Sequence, residues 1–153
     1  MGGTLTLYLA ENHKDIKGII PINAAIHMPD LVKNYELLSA GEPRFVDGIG
    51  ADIKQEGVEE LAYEKTPVKS MGEIMLLSKD VRSMLPKVTA PALIFKSTVD
   101  NVVPPENSEE IYENISSSDK EIIELENSYH VATLDNDKEL IAEKTIAFIR
   151  KRI

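Results

Sequence analysis

Short runs of β-branched and aliphatic residues, each followed by a helical stretch, constrain this chain more than any other feature. Ile16, Ile19, Ile20 and Ile22, grouped around Gly18 and Pro21, form the first run over 16–22. Ala92-Leu93-Ile94-Phe95, after Pro91, is the second, and 121–125 is the third. Runs of this length fit buried parallel strands better than helices, and such strands need covering on both faces. Helical spacing supplies the cover. Leu5, Tyr8 and Leu9 mark an opening helix that ends near Asn12, His13 and Asp15. A second helix is expected over about 106–115, behind Pro104 and Pro105, with Asn107 and Ser108 in its first turn. A third covers about 137–151 and turns Leu140, Ile141, Thr145, Phe148 and Ile149 inward. The alternation predicts an α/β domain with a parallel sheet and right-handed crossovers.

Between the first two runs the character changes. Met28, Leu31, Val32, Tyr35 and Leu38 form a helical stripe, which Gly41, Pro43, Gly48 and Gly50 interrupt. Further helical pieces are expected around 58–63 and 71–85, the latter stopping at Pro86. Residues 28–79 therefore read as a largely helical excursion from the sheet.

Composition removes several function classes. The 17 Lys+Arg against 26 Asp+Glu leave a formal charge of −9, which repels phosphate backbones and anionic membranes, so nucleic acid is excluded as a partner. The absence of cysteine excludes disulfides, thiolate metal sites and cysteine nucleophiles, and fits a cytoplasmic protein. The apolar stretch 5–10 is interrupted by Thr6, has no basic residue before it and is followed by Glu11. It is neither a secretory segment nor a membrane span, and a soluble chain is expected. The loose myristoylation pattern at Met1-Gly2 with Thr6, and the glycosylation pattern at Asn114-Ile115-Ser116, lack any targeting context.

In open α/β sheets, ligands sit beyond the carboxyl ends of the strands, and the loops there present side chains to them. Asp100 follows the second run by five residues, and His130 follows the third through Glu126-Asn127-Ser128-Tyr129. Each thus follows a different strand, so the two can meet above the sheet. A carboxylate on one imidazole nitrogen fixes the tautomer and stabilises the protonated ring while the other nitrogen takes a proton. Taken singly, Asp100 also reads as a turn residue and His130 as a packed loop histidine, and the residues alone leave both readings open. His13 and His27 read as structural or solvated. No two histidines have a metal-ligand spacing, so neither a metal nor a cofactor is expected.

Met1-Gly2-Gly3-Thr4, followed by a helix, resembles the second half of the Gly-x-Ser-Met-Gly-Gly nucleophile elbow of α/β-hydrolases. Ser97-Thr98-Val99-Asp100 with Val102-Val103-Pro104-Pro105, and the segment Asn127-Ser128-Tyr129-His130-Val131-Ala132-Thr133-Leu134-Asp135, resemble the acid and histidine segments of bacterial monoacylglycerol lipases and related carboxylesterases. So do Ile19-Ile20-Pro21-Ile22-Asn23-Ala24-Ala25 and Leu61-Ala62-Tyr63-Glu64-Lys65-Thr66-Pro67.

The resemblance implies the C-terminal part of an α/β-hydrolase fold, with a core of 1–27 and 80–153 and a helical cap of 28–79. Under that cap it implies an acyl-binding pocket that Met28, Leu31 and Met75 could line. Asp100 would be the triad acid, His130 the general base, and the Met1 backbone N–H half of the oxyanion hole. The serine nucleophile would directly precede Met1 and so be absent from the chain. The implied activity is carboxylic ester hydrolysis through an acyl-enzyme, on a small ester or monoglyceride, with no activity expected from the chain alone. The alternative is a non-catalytic acyl-ligand-binding or interaction fragment that needs a complementary N-terminal half. The run 16–22 would then be an exposed sheet edge, for which self-association is expected.

Overall fold

A computed structural model describes residues 1–41 and 43–152. The chain opens with helix α1 (Gly2–Asn12). Its inward face is Thr4, Leu7, Ala10 and Glu11, whereas Leu5, Tyr8 and Leu9, the stripe expected from spacing, stay exposed. Leu7 and Ala10 join the core there, and two further contacts hold that face. The Thr4 hydroxyl donates to the Ala25 carbonyl at 2.7 Å. Gly3 meets Ala24 so closely that a Cβ would lie 2.5 Å from the alanine methyl, so only glycine fits.

The run expected as a strand over 16–22 is shorter in the structure. Only Ile19 and Ile22 form parallel bridges, to Ala92 and Phe95 of strand β3, introduced below. The Ile19 N–H donates to the Pro91 carbonyl at 2.8 Å, and the Asn23 N–H to that of Phe95 at 3.0 Å. In return the Leu93 and Phe95 N–H groups donate to the carbonyls of Ile19 and Pro21, both at 3.0 Å. Pro21 has no N–H, so the ladder loses one rung at its centre and regular strand structure breaks there.

The excursion contains helix α2 (Pro29–Ser39), with proline at its first position, and short strands β1 (Phe45–Asp47) and β2 (Lys65–Pro67). Helix α3 (Val68–Met84) follows and runs into a 3-10 turn at Leu85–Lys87. β1 and β2 pair antiparallel, with Val46 opposite Thr66. Residues 58–63, expected to be helical, form no helix, and Leu61 and Tyr63 stand fully exposed. A stretch so short, with no face to bury, does not repay helix nucleation. The excursion is thus helical at its two ends and ribbon or irregular between them. Gly72 permits the close approach of α2 to α3, since a Cβ there would come within 2.7 Å of the Tyr35 ring.

Strand β3 (Ala92–Ser97) is buried at every residue and pairs in parallel with β4 (Lys120–Leu125), from Ala92 opposite Lys120 to Ser97 opposite Leu125. Helix α4 (Glu106–Asn114) crosses between them, and α5 (Lys138–Arg150) closes the chain after a 3-10 turn at Ala132–Leu134. The alternation of β3 divides the core. Ala92 and Ile94 join Leu7, Ile26, Val81, Leu85 and Ile111 on one face. Leu93 and Phe95 join Leu125, Ala132, Ile141 and Phe148 on the other.

One polar group inside this core is poorly matched. Glu11 is 6% exposed and its Oε1 has no hydrogen-bond partner among the described residues. Burial pushes its carboxyl up to about 7 from 4.5, and the Lys87 ammonium only partly offsets this. A raised carboxyl stabilises the fold fully below its unfolded value of 4.5, and that contribution is lost as pH rises through about 7. Glu11→Gln should therefore stabilise the chain by about 1 kcal/mol at pH 8, a Tm rise of about 2–4 °C, and change little at pH 5. Thermal melts of both proteins at the two pH values check this.

Candidate active site

The loops after β3 and β4 bring Asp100 and His130 together. The Asp100 side chain is 1% exposed, and its Oδ2 lies 2.8 Å from His130 Nδ1. Its other oxygen, Oδ1, accepts the backbone N–H groups of Val102 at 2.8 Å and Val103 at 2.7 Å. Asp100 is therefore both the turn residue and the partner of the histidine, so the two readings open in the sequence describe one residue. Its two oxygens do separate work: one folds the loop and the other faces the ring.

A carboxylate accepts and does not donate, so the hydrogen on the facing nitrogen is assigned to Nδ1. Nε2 is then the nitrogen with a free lone pair, and it has no hydrogen-bond partner among the described residues. The ring is partly exposed and lines a cavity of about 620 Å³, together with Met1, Ala25, Met28, Leu31, Ile49 and Met71. Met75 lines a neighbouring cavity of about 420 Å³, which Met28 and Leu31 also border. Met1 caps α1 at the edge of the larger cavity.

The loop that carries His130 is gripped by residues that the sequence does not single out for the site. Asn23 adopts a left-handed backbone, with φ of 46°, at the end of the segment beside β3. Its Nδ2 donates to the His130 carbonyl at 3.0 Å and to Ser97 Oγ at 2.9 Å, while its Oδ1 accepts the Ser97 N–H at 2.8 Å. The Ser97 hydroxyl in turn donates to the Tyr129 carbonyl at 2.9 Å. Asparagine tolerates this backbone better than most residues, and its amide offers both a donor and an acceptor.

Asp135 is completely buried and accepts the N–H groups of Lys54 at 2.7 Å, Gln55 at 2.9 Å, Tyr129 at 2.9 Å and Asn136 at 2.8 Å. Burial alone would raise its carboxyl, but these donors outweigh it and hold the group below its ordinary value. Asp52, from the excursion, accepts the His130 N–H at 3.1 Å and the Asn101 N–H at 3.0 Å. The only sequence signal for these residues was weak: Asn23 and Asp135 sit in segments picked out by resemblance, which assigned them no role, and Asp52 lies in none.

Of the other histidines, His13 is exposed at the end of α1. His27 is exposed too, with its backbone held by Asn107, whose Oδ1 accepts the His27 N–H at 2.6 Å and whose Nδ2 donates to the His27 carbonyl at 2.9 Å. Among the described residues no group of three or more His, Asp or Glu is placed to hold a metal ion, and no helix is long and apolar enough to cross a membrane.

The family model described as serine aminopeptidase, S33, matches residues 1–137. The chain belongs to this family. It is 51% identical to the thermostable monoacylglycerol lipase of Bacillus sp. (strain H-257) over 152 residues, which cover 99% of this chain and 60% of that protein. It is 26% identical to a carboxylesterase of Bacillus subtilis (strain 168), covering 99% of this chain and 61% of the relative. A solved structure from work on LipS and LipT, two metagenome-derived lipolytic enzymes, superposes with a TM-score of 0.93 at 50% identity, over 99% of this chain and 62% of that one. The S33 chain thus spans about 60% of the length of the curated relatives it matches. Its helices and parallel strands form part of an α/β-hydrolase fold, and its relatives are lipases and esterases.

The lowered Asp135 carboxyl has a stability consequence in the family member. A depressed carboxyl stabilises the fold above its unfolded value, near 3.8, and that contribution disappears as pH falls through the folded value. Asp135→Asn should destabilise the chain by about 1–3 kcal/mol at pH 7, since backbone donors lose a charged acceptor. The gap to the parent should narrow below pH 4, as followed by urea denaturation at both pH values.

Proposed function

We propose that the chain carries the acid and the base of a serine ester hydrolase acting on monoacylglycerols or similar small esters. The observation that carries the reading is the 2.8 Å contact between buried Asp100 and His130 Nδ1, on a ring that borders a large, mainly apolar cavity. Asp100 orients the imidazole and stabilises its protonated form, and Nε2 is the general base. The nucleophile falls to a serine immediately ahead of Met1, outside the chain as given. Residues 28–79 act as a cap over the acyl-binding cavity.

The steps follow from that assignment. Nε2 takes the serine hydroxyl proton as the oxygen attacks the ester carbonyl, and the developing oxyanion is met by the N–H at Met1 and a second donor from the upstream half. Collapse breaks the ester C–O bond, and Nε2 returns the proton to the departing alcohol. Water then repeats the sequence on the acyl-enzyme, releasing the carboxylic acid and restoring the serine.

The exposed side chains of Leu5, Tyr8 and Leu9 on α1, and the outer edge of the segment beside β3, which pairs with no other strand among the described residues, support a chain that works with a complementary half. Alone, it should turn over no ester and should self-associate through that edge. A monodisperse monomer in sedimentation velocity would count against the second expectation.

The catalytic reading is tested by fusing the chain to the upstream portion of the Bacillus monoacylglycerol lipase, joined so that a Gly-x-Ser directly precedes Met1, and assaying p-nitrophenyl ester hydrolysis. The fusion should be active, and His130→Ala should lower kcat/KM by about 10³-fold or more. Unchanged turnover in the variant would remove His130 from the mechanism. The cavity also favours a second reading, an acyl-ligand-binding module. Saturable fatty-acid binding by the chain, with a fusion that stays inactive, would support it.

A further inference from the structure

Asp52 lies in the excursion, 49 residues from Asn101 and 78 from His130, yet it touches both of the loops that carry the acid and the base. Its Oδ2 accepts the N–H of Asn101, next to Asp100, at 3.0 Å and that of His130 at 3.1 Å. Its Oδ1 accepts the Asn101 amide at 2.7 Å, and its backbone carbonyl accepts the Val131 N–H at 3.1 Å. One carboxylate thus ties together the two loops whose side chains meet at 2.8 Å.

Apart from the Asp100–His130 contact itself, the restraints named above hold the backbone of one loop at a time. Asp100 folds its own turn through Val102 and Val103, while Asn23 and Ser97 hold the base-bearing loop by its carbonyls. Among the described residues, Asp52 is the side chain that hydrogen-bonds to the backbone of both Asn101 and His130. The strap that carries it, residues 51–56, runs between Gly50 and Gly57, both in the left-handed region with φ of 80° and 77°. Neither glycine has a neighbour where a Cβ would stand, so glycine is required there by backbone conformation and not by crowding. Between them the strap is pinned a second time, by the Lys54 and Gln55 N–H groups on Asp135.

We propose that Asp52 is a positioning residue that sets the Asp100–His130 pair from the cap side, so that the pair is aligned only while the 51–56 strap is seated. The inference rests on the reading of that pair as acid and base. Functional pairs need their geometry held to a fraction of an ångström, and a misplacement of about 1 Å can cost about 10²-fold in rate.

The test uses the full chain with ¹⁵N-labelled histidine. The parent should show a slowly exchanging, low-field Nδ1–H proton from His130 and one dominant tautomer. Asp52→Ala should broaden that proton and mix the tautomers. Asp52→Asn, which keeps one carbonyl oxygen for two backbone donors, should fall between them. Parent-like spectra in a folded Asp52→Ala variant would overturn the proposal. Should that variant fail to fold, Asp52→Asn decides, and an unchanged spectrum there overturns it.

The same substitutions in the fusion enzyme separate this inference from the reading beneath it. Asp52→Ala should lower kcat by about 10²-fold with little change in KM. If His130→Ala abolishes turnover while Asp52→Ala leaves kcat and the spectrum intact, the positioning role alone falls. If His130→Ala leaves turnover unchanged, or the parent shows no such proton, the acid–base reading falls and takes the inference with it.

Discussion

A parallel strand buried on both faces cannot exist by itself: it needs a partner reached by a crossover, and helices above and below. β3 imposes that requirement here. Its alternate residues feed two separate apolar clusters, its backbone pairs with β4 on one edge and with the Ile19–Asn23 stretch on the other, and α4 supplies the crossover. Because the strands run in one direction, their carboxyl ends open on the same side of the sheet, which is where Asp100 and His130 meet. The position of the site is a by-product of strand direction, and its geometry is then refined by hydrogen bonds.

Those hydrogen bonds share a chemistry. Asp100, Asp52, Asp135 and Asp137 each accept backbone N–H groups in or beside the two loops. A carboxylate can satisfy several donors at once, and charge-assisted bonds are stronger than neutral ones. In irregular loops, whose amides lack the ladders of helix and sheet, such acceptors take the place of secondary structure. Part of the acidic excess of the chain is therefore structural, and net charge describes it poorly.

Legibility in the sequence followed physical type. β3, α4 and α5 were readable because periodicity and bounding prolines act locally, and the pairing of Asp100 with His130 because each follows a strand end. The stretch 58–63 was not, since its apolar residues have nothing to pack against and propensity alone does not hold a short helix. The apolar spacing of Leu5, Tyr8 and Leu9 marked α1 as a helix but left its inward face open, and that face is set by Leu7 and Ala10 in the core together with the glycine and threonine contacts. The work of Asn23, Asp52 and Asp135 stayed hidden for a different reason: most of their partners are backbone groups, which carry no side-chain signature and are brought close only by the fold.

Asn23 illustrates how closely the scaffold and the site are joined. It ends the segment beside β3 in a left-handed conformation, docks on Ser97 and holds the His130 carbonyl. Glycine would accept the backbone but has no amide, aspartate would accept it but could not donate, and serine would reach too few partners. Mutational tolerance at this position is accordingly narrow from two directions, and no exchange relieves the backbone demand without loosening the loop that carries the imidazole. Engineering of this protein for stability and for altered chemistry therefore cannot treat position 23 as belonging to only one of the two.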